Sequence, residues 1–280
     1  MSASGGALAV CARQELLLAV RSRWTQIFAA VFAALSLAVA ASGYVLSGGH
    51  GVQDFARTAA SLVQIVLLLV PVTALLIGVV ALAPERGAAE LLYSQPVRRR
   101  TILLGRLAGL LCALLAAQAV GFGAAGLVVF WQSGGAGLGS FALLVSCSFA
   151  LTAVFLGLAA WLAVGATAGR RSRAIAQALV VWFAAAVLYD VAALGLASLL
   201  RSGTASRLLV AAVIVNPVDA VRTAALLGVE GASAFGAASL AFFRITGGSA
   251  SAAAMLAASV IAWIVVPTAL AVRRLERTDI

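Results

Sequence analysis

Lysine is absent. All 19 basic residues are arginine, so the phosphate-binding loop G-x-x-x-x-G-K-[ST], which sets a lysine on the phosphates, cannot be built from this chain. A Schiff base with a carbonyl substrate is excluded for the same reason. Histidine occurs once, as His50, and methionine beyond Met1 only as Met255. Soft copper sites draw on clustered Cys, Met or His, and no such cluster stands in the sequence, so no metal site is expected. H-E-x-x-H is missing as well, and no Ser/His pair falls within an apolar run, so no catalytic site is expected. The three cysteines, Cys11, Cys112 and Cys147, show no C-x-x-C spacing and imply no disulfide framework. Cys112 and Cys147 lie in consecutive apolar runs, where two thiols could hold one Cu(I). Free cysteine more often behaves as a small buried hydrophobe.

Charge is scarce too. Only 10 % of the residues are charged, against roughly 25 % in soluble domains, so a soluble fold could not cover its surface. The net charge of +10 would raise nucleic acid as a partner in a soluble protein. Here the arginines stand in short clusters between long apolar runs, the pattern of membrane topology determinants, and no nucleic-acid partner is expected.

What the chain has in abundance is apolar length. A helix needs about 20 apolar residues to cross a bilayer core. Six runs qualify: Thr25–Leu46, Leu62–Ala83, Leu107–Trp131, Phe141–Ala168, Ile175–Leu200 and Ala252–Val272. None contains Lys or Arg, and Asp190 is the one acid within them. Arg21 and Arg23, an apolar stretch and Ala38-Val39-Ala40 resemble a signal peptide with a small-residue cleavage site. The segment ahead of that run is long for such a signal, so it is read as a retained span. Fourteen arginines then fall on one side of the membrane and five on the other. The positive-inside rule places both termini in the cytoplasm. The expected fold is all-α: one polytopic domain over 1–280 with six transmembrane helices and an external connection over 201–251. Small residues between Gly105 and Gly109 and between Gly121 and Gly126 predict close helix packing in lipid.

Three polar features interrupt this pattern. The cytoplasmic stretch Pro84-Glu-Arg-Gly-Ala-Ala-Glu-Leu-Leu-Tyr-Ser-Gln-Pro96 opens on a proline that ends the preceding span and reads as a short helix on the membrane surface. It is either an interfacial helix with a basic flank or a docking helix for a soluble partner. Asp190 is costly at mid-bilayer, on the order of 2.5–3.5 kcal/mol, and is by default a functional candidate; pairing with Gln118 or with the helix of Arg222 is the structural alternative. On the far side, Asn216 is a good N-cap, Pro217 suits the first helical position, Asp219 lies in the first turn and Arg222 follows at i+3. That segment is a well-capped surface helix, a partner-binding element, or both. Leu208–Val215 is too short to span and predicts an interfacial or re-entrant helix; Gly247-Gly248-Ser249 reads as a hinge-like spacer.

The run from Glu85 to Val97, followed by Ile102-Leu-Leu-Gly-Arg106, resembles the signature of ABC-2 type transporter permeases. Ala12-Arg-Gln-Glu-Leu16 and Arg21-Ser-Arg-Trp24 look like that family's N-terminal interfacial helix. Members usually carry Glu-Arg-Glu-x-Gly where this chain has Glu85-Arg86-Gly87. Val215-Asn-Pro-Val-Asp-Ala-Val-Arg222, Gly228–Gly236, Val181-Trp-Phe183 and Tyr189-Asp190 are similar to the branch that serves nitrous-oxide reductase maturation. The resemblance implies a permease subunit of an ATP-driven transporter in the bacterial inner membrane, working as a homodimer with a cytoplasmic ABC ATPase and a periplasmic accessory protein of the copper-maturation system. ATP and Mg would sit on the ATPase and no cofactor on this chain. Glu15, Glu85, Arg86 and Glu90 would face the ATPase; Asn216, Pro217, Asp219 and Arg222 would face the periplasmic partner or cap their helix. A generic ABC-2 exporter of lipid, drug or polysaccharide and a non-transporting membrane assembly scaffold are the alternative readings.

Overall fold

A computed structural model describes residues 2–47, 51–83, 97–133, 137–166, 171–231, 234 and 236–277, and these contain helices and no strand. Glu85, Arg86 and Glu90 of the expected docking helix lie outside the described residues. In chain order the helices are α1 (Ser2–Arg21), α2 (Arg23–Ser47), α3 (Gly51–Leu82), α4 (Arg99–Ser133), α5 (Leu138–Gly165), α6 (Arg171–Phe183), α7 (Tyr189–Ser198), α8 (Ser202–Val215), α9 (Pro217–Glu230), α10 (Ala237–Thr246) and α11 (Ser249–Arg277). A π turn, Ala184–Leu188, joins α6 to α7 in one span. Six helical stretches are long and apolar enough to cross a membrane: Arg23–Ser42, Thr58–Leu82, Arg99–Trp131, Leu138–Gly165, Arg171–Ser198 and Ser249–Arg277. The protein is a polytopic all-α membrane protein. The apolar runs are each extended by polar residues that continue the helix, most of all α3 and α4, whose first turns precede the apolar stretch.

Hydrophobic burial alone does not hold helices together in lipid, because the solvent is as apolar as the side chains. Close backbone approach and polar contacts between helices do that work. A Cβ added to Gly105 would come within 2.7 Å of the Cys11 Cβ, and one on Gly109 within 2.9 Å of the Glu15 Cβ. These glycines, one helical turn apart, seat α1 against α4. A Cβ on Gly121 would meet the Phe32 ring at 2.7 Å. There Phe32 stacks edge-to-face on Phe122 at 5.0 Å, and Phe122 on Phe141 at 6.1 Å, joining α2, α4 and α5. Beside this stack Ser148 Oγ donates to Gln118 Oε1 at 2.6 Å, and Gln118 Nε2 donates to Thr152 Oγ1 at 2.7 Å. Gln118 is thus committed to α5 and is not the partner of Asp190.

Helix α1 and the last turn of α11 lie at the same end of the bundle. α1 packs on the first turns of α4, and Arg99 at the start of α4 donates to the Leu275 carbonyl near the end of α11 at 3.5 Å. The expected connection over 201–251 is almost wholly helical, and α8 and α9 meet at a bend of 100°. The expected spacer at Gly247-Gly248 is a tied corner. Gly247 takes φ +85 as the C-cap of α10, Gly248 N–H donates to Phe243 O at 2.7 Å, and Ser251 Oγ donates to Thr246 O at 2.6 Å. Glycine supplies the left-handed conformation such a cap needs.

Candidate functional site: an elbow held by two spans and a clamp of arginines

The bend between α8 and α9 falls at Asn216-Pro217. Proline cannot continue the α8 hydrogen-bond ladder, so the last carbonyls of α8 need other donors. Three are supplied. Tyr189 Oη donates to Ala212 O at 3.1 Å, which also keeps its in-helix bond from the Asn216 N–H. From α11, Ser259 Oγ donates to Ile214 O and Trp263 Nε1 to Val215 O at 2.8 Å. A broken helix at membrane depth is tolerated where neighbouring helices satisfy its freed backbone, and the fifth and sixth spans do so here.

Asn216 uses both ends of its amide. Its Oδ1 accepts from Val218 N–H at 3.1 Å, capping α9; its Nδ2 donates to Asp219 Oδ2 at 3.0 Å and to Ala185 O at 2.8 Å. Ala185 lies in the π turn, where the i→i+5 pattern releases carbonyls from the α-helical ladder. The irregular turn of span five and the break at Asn216 are therefore mutually satisfied by one side chain.

Charge completes the elbow. Arg222 Nη2 meets Asp219 Oδ1 at 2.8 Å, and Arg222 Nη1 donates to Asp190 Oδ2 at 3.1 Å. One guanidinium, planar and forked, bridges two carboxylates on different helices. Asp219 is buried, its side chain 5 % exposed, while Asp190 and Arg222 are about a third exposed, at 30 % and 33 %. α9 is well capped, but it is not a surface helix: Pro217, Val218, Asp219, Ala220 and Val221 are all buried. The structure thus brings together Asp190, Asn216, Pro217, Asp219 and Arg222. It adds Tyr189, which the sequence singled out only through the Tyr189-Asp190 resemblance, and Ser259 and Trp263, which sequence reasoning missed.

At the opposite end, Glu15 is buried, 7 % exposed. Its carboxylate accepts from Arg106 Nε at 2.8 Å, and Arg106 Nη2 donates to Ala81 O at 2.5 Å. Arg171 Nη2 donates to Val80 O at 2.5 Å. Two arginines therefore close the C-terminus of α3, where the helix dipole favours cations. That end is also the start of the 84–96 stretch. Arg99 on Leu275 and Arg274 on Gly165 O, at 3.4 Å, repeat the device on α11 and α5. The arginines that set topology in the sequence also cap helices in the fold. No local spacing announces this, because each pair is far apart along the chain.

The cysteines are free: Cys112 is exposed on α4 and Cys147 half-buried on α5.

Six apolar spans, a helix pair bent by 100° and helix ends closed by arginine define a multi-pass membrane protein. The chain belongs to the ABC-2 family transporter proteins, whose family model matches residues 9–280. It is similar to the "Probable ABC transporter permease protein NosY" of Pseudomonas aeruginosa, at 34 % identity over 236 residues, 82 % of this chain and 85 % of that protein. The protein of the same name from Stutzerimonas stutzeri matches at 34 % over 82 % of this chain and 85 % of its own.

Proposed function

We propose that this permease subunit serves the assembly of the copper sites of a periplasmic nitrous-oxide reductase, relaying ATPase-driven movement or cargo across the bacterial inner membrane. The supporting observation is the similarity to NosY permeases across 82 % of the chain. It agrees with the sequence resemblance at Val215–Arg222 and Tyr189-Asp190. The functional unit in this reading is a homodimer. A separate ATPase carries ATP and Mg and presses on the 84–96 stretch through Glu85, Arg86 and Glu90. Glu15 takes part by fixing α1 against α4 through Arg106. Because Arg106 and Arg171 tie the end of α3 to α4 and α6, a push there moves three spans together. The elbow is tied to spans five and six, so their movement re-aims α8 and α9 toward the periplasmic accessory protein.

In this reading both termini lie in the cytoplasm, as the arginine asymmetry implies. Reporter fusions after Glu276 should read cytoplasmic and fusions near Gly231 external; a cytoplasmic reading at Gly231 overturns the arrangement. The function is tested by deleting the gene in a denitrifying host and measuring copper content and activity of the reductase. Undiminished copper loading, with loss of a lipid, drug or polysaccharide export phenotype instead, would make the protein a generic exporter. Loading that survives an ATPase-dead partner would make it a scaffold.

A further inference from the structure

At the end of the bundle that holds α1, a cavity of about 440 Å³ opens between the last turn of α5, the first turns of α6 and the last turn of α11. Its volume lies within the range of ligand sites. Arg173, Gln177 and Arg274 supply its polar wall, Trp161 and Leu162 its apolar wall, and no acid lines it among the described residues. Arg274 is pre-placed: its Nη2 donates to Gly165 O at 3.4 Å, and a Cβ on Gly165 would come within 2.6 Å of its Nη1. The guanidinium therefore lies flat on backbone that only glycine leaves open. Arg173 is exposed and forms no ion pair with another described residue.

Two guanidiniums and an amide facing one cavity form a site for a phosphate oxygen set. What lies beside the cavity separates a lipid from a free anion. Arg173, Gln177 and Val180 fall at i, i+4 and i+7 on α6, one face of the helix. Val180 is 68 % exposed. With Leu179 and Phe183 also exposed, apolar surface continues from the cavity along the span toward the bilayer centre. Trp161, an amphipathic ring of the kind found at headgroup level, stands at its rim, 38 % exposed. We propose that this cavity holds the phosphate of an anionic phospholipid, with Arg173 and Arg274 on the headgroup and one acyl chain along Val180.

The test uses the purified full chain in phosphatidylcholine nanodiscs carrying a rising fraction of chain-brominated phosphatidylglycerol. The signal is the part of the tryptophan quenching that disappears in Trp161→Phe. It should saturate at a lower fraction of brominated phosphatidylglycerol than of brominated phosphatidylcholine. Arg173→Gln and Arg274→Gln should each weaken the preference about fivefold, matching about 1 kcal/mol per arginine near an anionic surface. Arg277→Gln, off the cavity, should leave it unchanged. Equal quenching by the two lipids, or arginine variants that behave as wild type, overturns the proposal. So does abolition of the preference by millimolar inorganic phosphate, which would identify a site for a soluble anion. Native mass spectra of the wild-type protein need no variant: a retained anionic phospholipid supports the site, and retention of zwitterionic lipid alone overturns it.

Discussion

At the end of the bundle that holds α1, arginines act one at a time on the carbonyls that close a helix. At the elbow, one arginine acts on two carboxylates, and an asparagine ties a cap to a π turn. In the first region, the buried Glu15–Arg106 pair apart, the partners are dipoles, each such contact is worth little alone, and the arginines outnumber the acids they meet. In the second, acids outnumber bases, and every group depends on its neighbour. Outside that pair, the first arrangement tolerates loss by parts. The second is a network in which a missing member leaves buried charge behind, and such networks carry more than the sum of their pairs. The contrast suits the proposed division of labour, with a broad surface that receives a push and a compact device that converts it.

The largest expected effect follows from that contrast. Arg222→Ala removes the bridge between Asp190 and Asp219 and leaves two carboxylates facing each other, one of them buried. Breaking a buried pair costs about 3–5 kcal/mol; with Arg222 a third exposed, about 2–3 kcal/mol is expected. Reductase copper loading should fall to near the level of the gene deletion. The double variant Arg222→Ala, Asp219→Ala should recover part of the stability, read as the thermal midpoint in detergent, without recovering function. Additive losses in the double variant would show that the two residues do not work as a pair.

At the other end, Arg106→Ala strands the Glu15 carboxylate and frees the Ala81 carbonyl. A loss of about 2 kcal/mol is expected, below the figure for a fully buried pair because Arg106 is partly exposed. The sharper readout is co-purification of the ATPase subunit, which should drop while the elbow's partner is still bound. Arg171→Ala removes one cap on Val80 and should have a weaker effect of the same kind. If Arg106→Ala abolishes periplasmic partner binding and spares the ATPase, the two regions have been assigned to the wrong ends.

Gln118→Ala separates packing from either device. It deletes both contacts that tie α4 to Ser148 and Thr152 on α5. Hydrogen bonds between membrane helices average about 0.6 kcal/mol and reach about 1.7 kcal/mol, so a small fall in thermal midpoint with normal copper loading is expected. A failure of loading at normal stability would mark the α4–α5 contact as a moving part.

The two regions also differed in how much of them could be read from the chain. Asn216, Pro217, Asp219 and Arg222 lie within one turn and a half of helix, so capping and i,i+3 rules bring them together without any tertiary knowledge. The six spans are legible for a similar reason: apolar length is a local property. The partner of Asp190 was open between Gln118 and the helix of Arg222, because both lie in other helices and sequence carries no distance between spans. The burial of α9 was missed because its cap and dipole pattern is the same on a surface helix as on a buried one. The π turn at Ala184–Leu188 has no sequence signal at all, since Ala-Ala-Ala-Val-Leu favours an ordinary helix; only its tertiary partner, Asn216, accounts for it. The arginine caps at α3, α5 and α11 were hidden by the positive-inside pattern, which explains the same residues without needing their contacts.

The smallest effect is expected from the thiols, and it decides between moving parts and a metal path. A route for copper needs soft or imidazole ligands along it. Only Cys112 and Cys147 lie in spans, one exposed on α4 and the other half-buried on α5 against the core. Among the described residues no three His, Cys, Asp or Glu side chains gather in one place. The double variant Cys112→Ala, Cys147→Ala removes two sulfur atoms from sites that tolerate a small apolar residue, a cost below about 1 kcal/mol. Copper content and activity of the reductase should stay close to wild type. In parallel strains Asp190→Ala and Asp219→Ala should lower both, because they break the elbow while leaving every thiol in place. Copper loading lost in the cysteine variant, with the permease at normal levels in the membrane and the aspartate variants active, would reverse the order. The chain would then be a metal conduit, and the elbow only a structural corner.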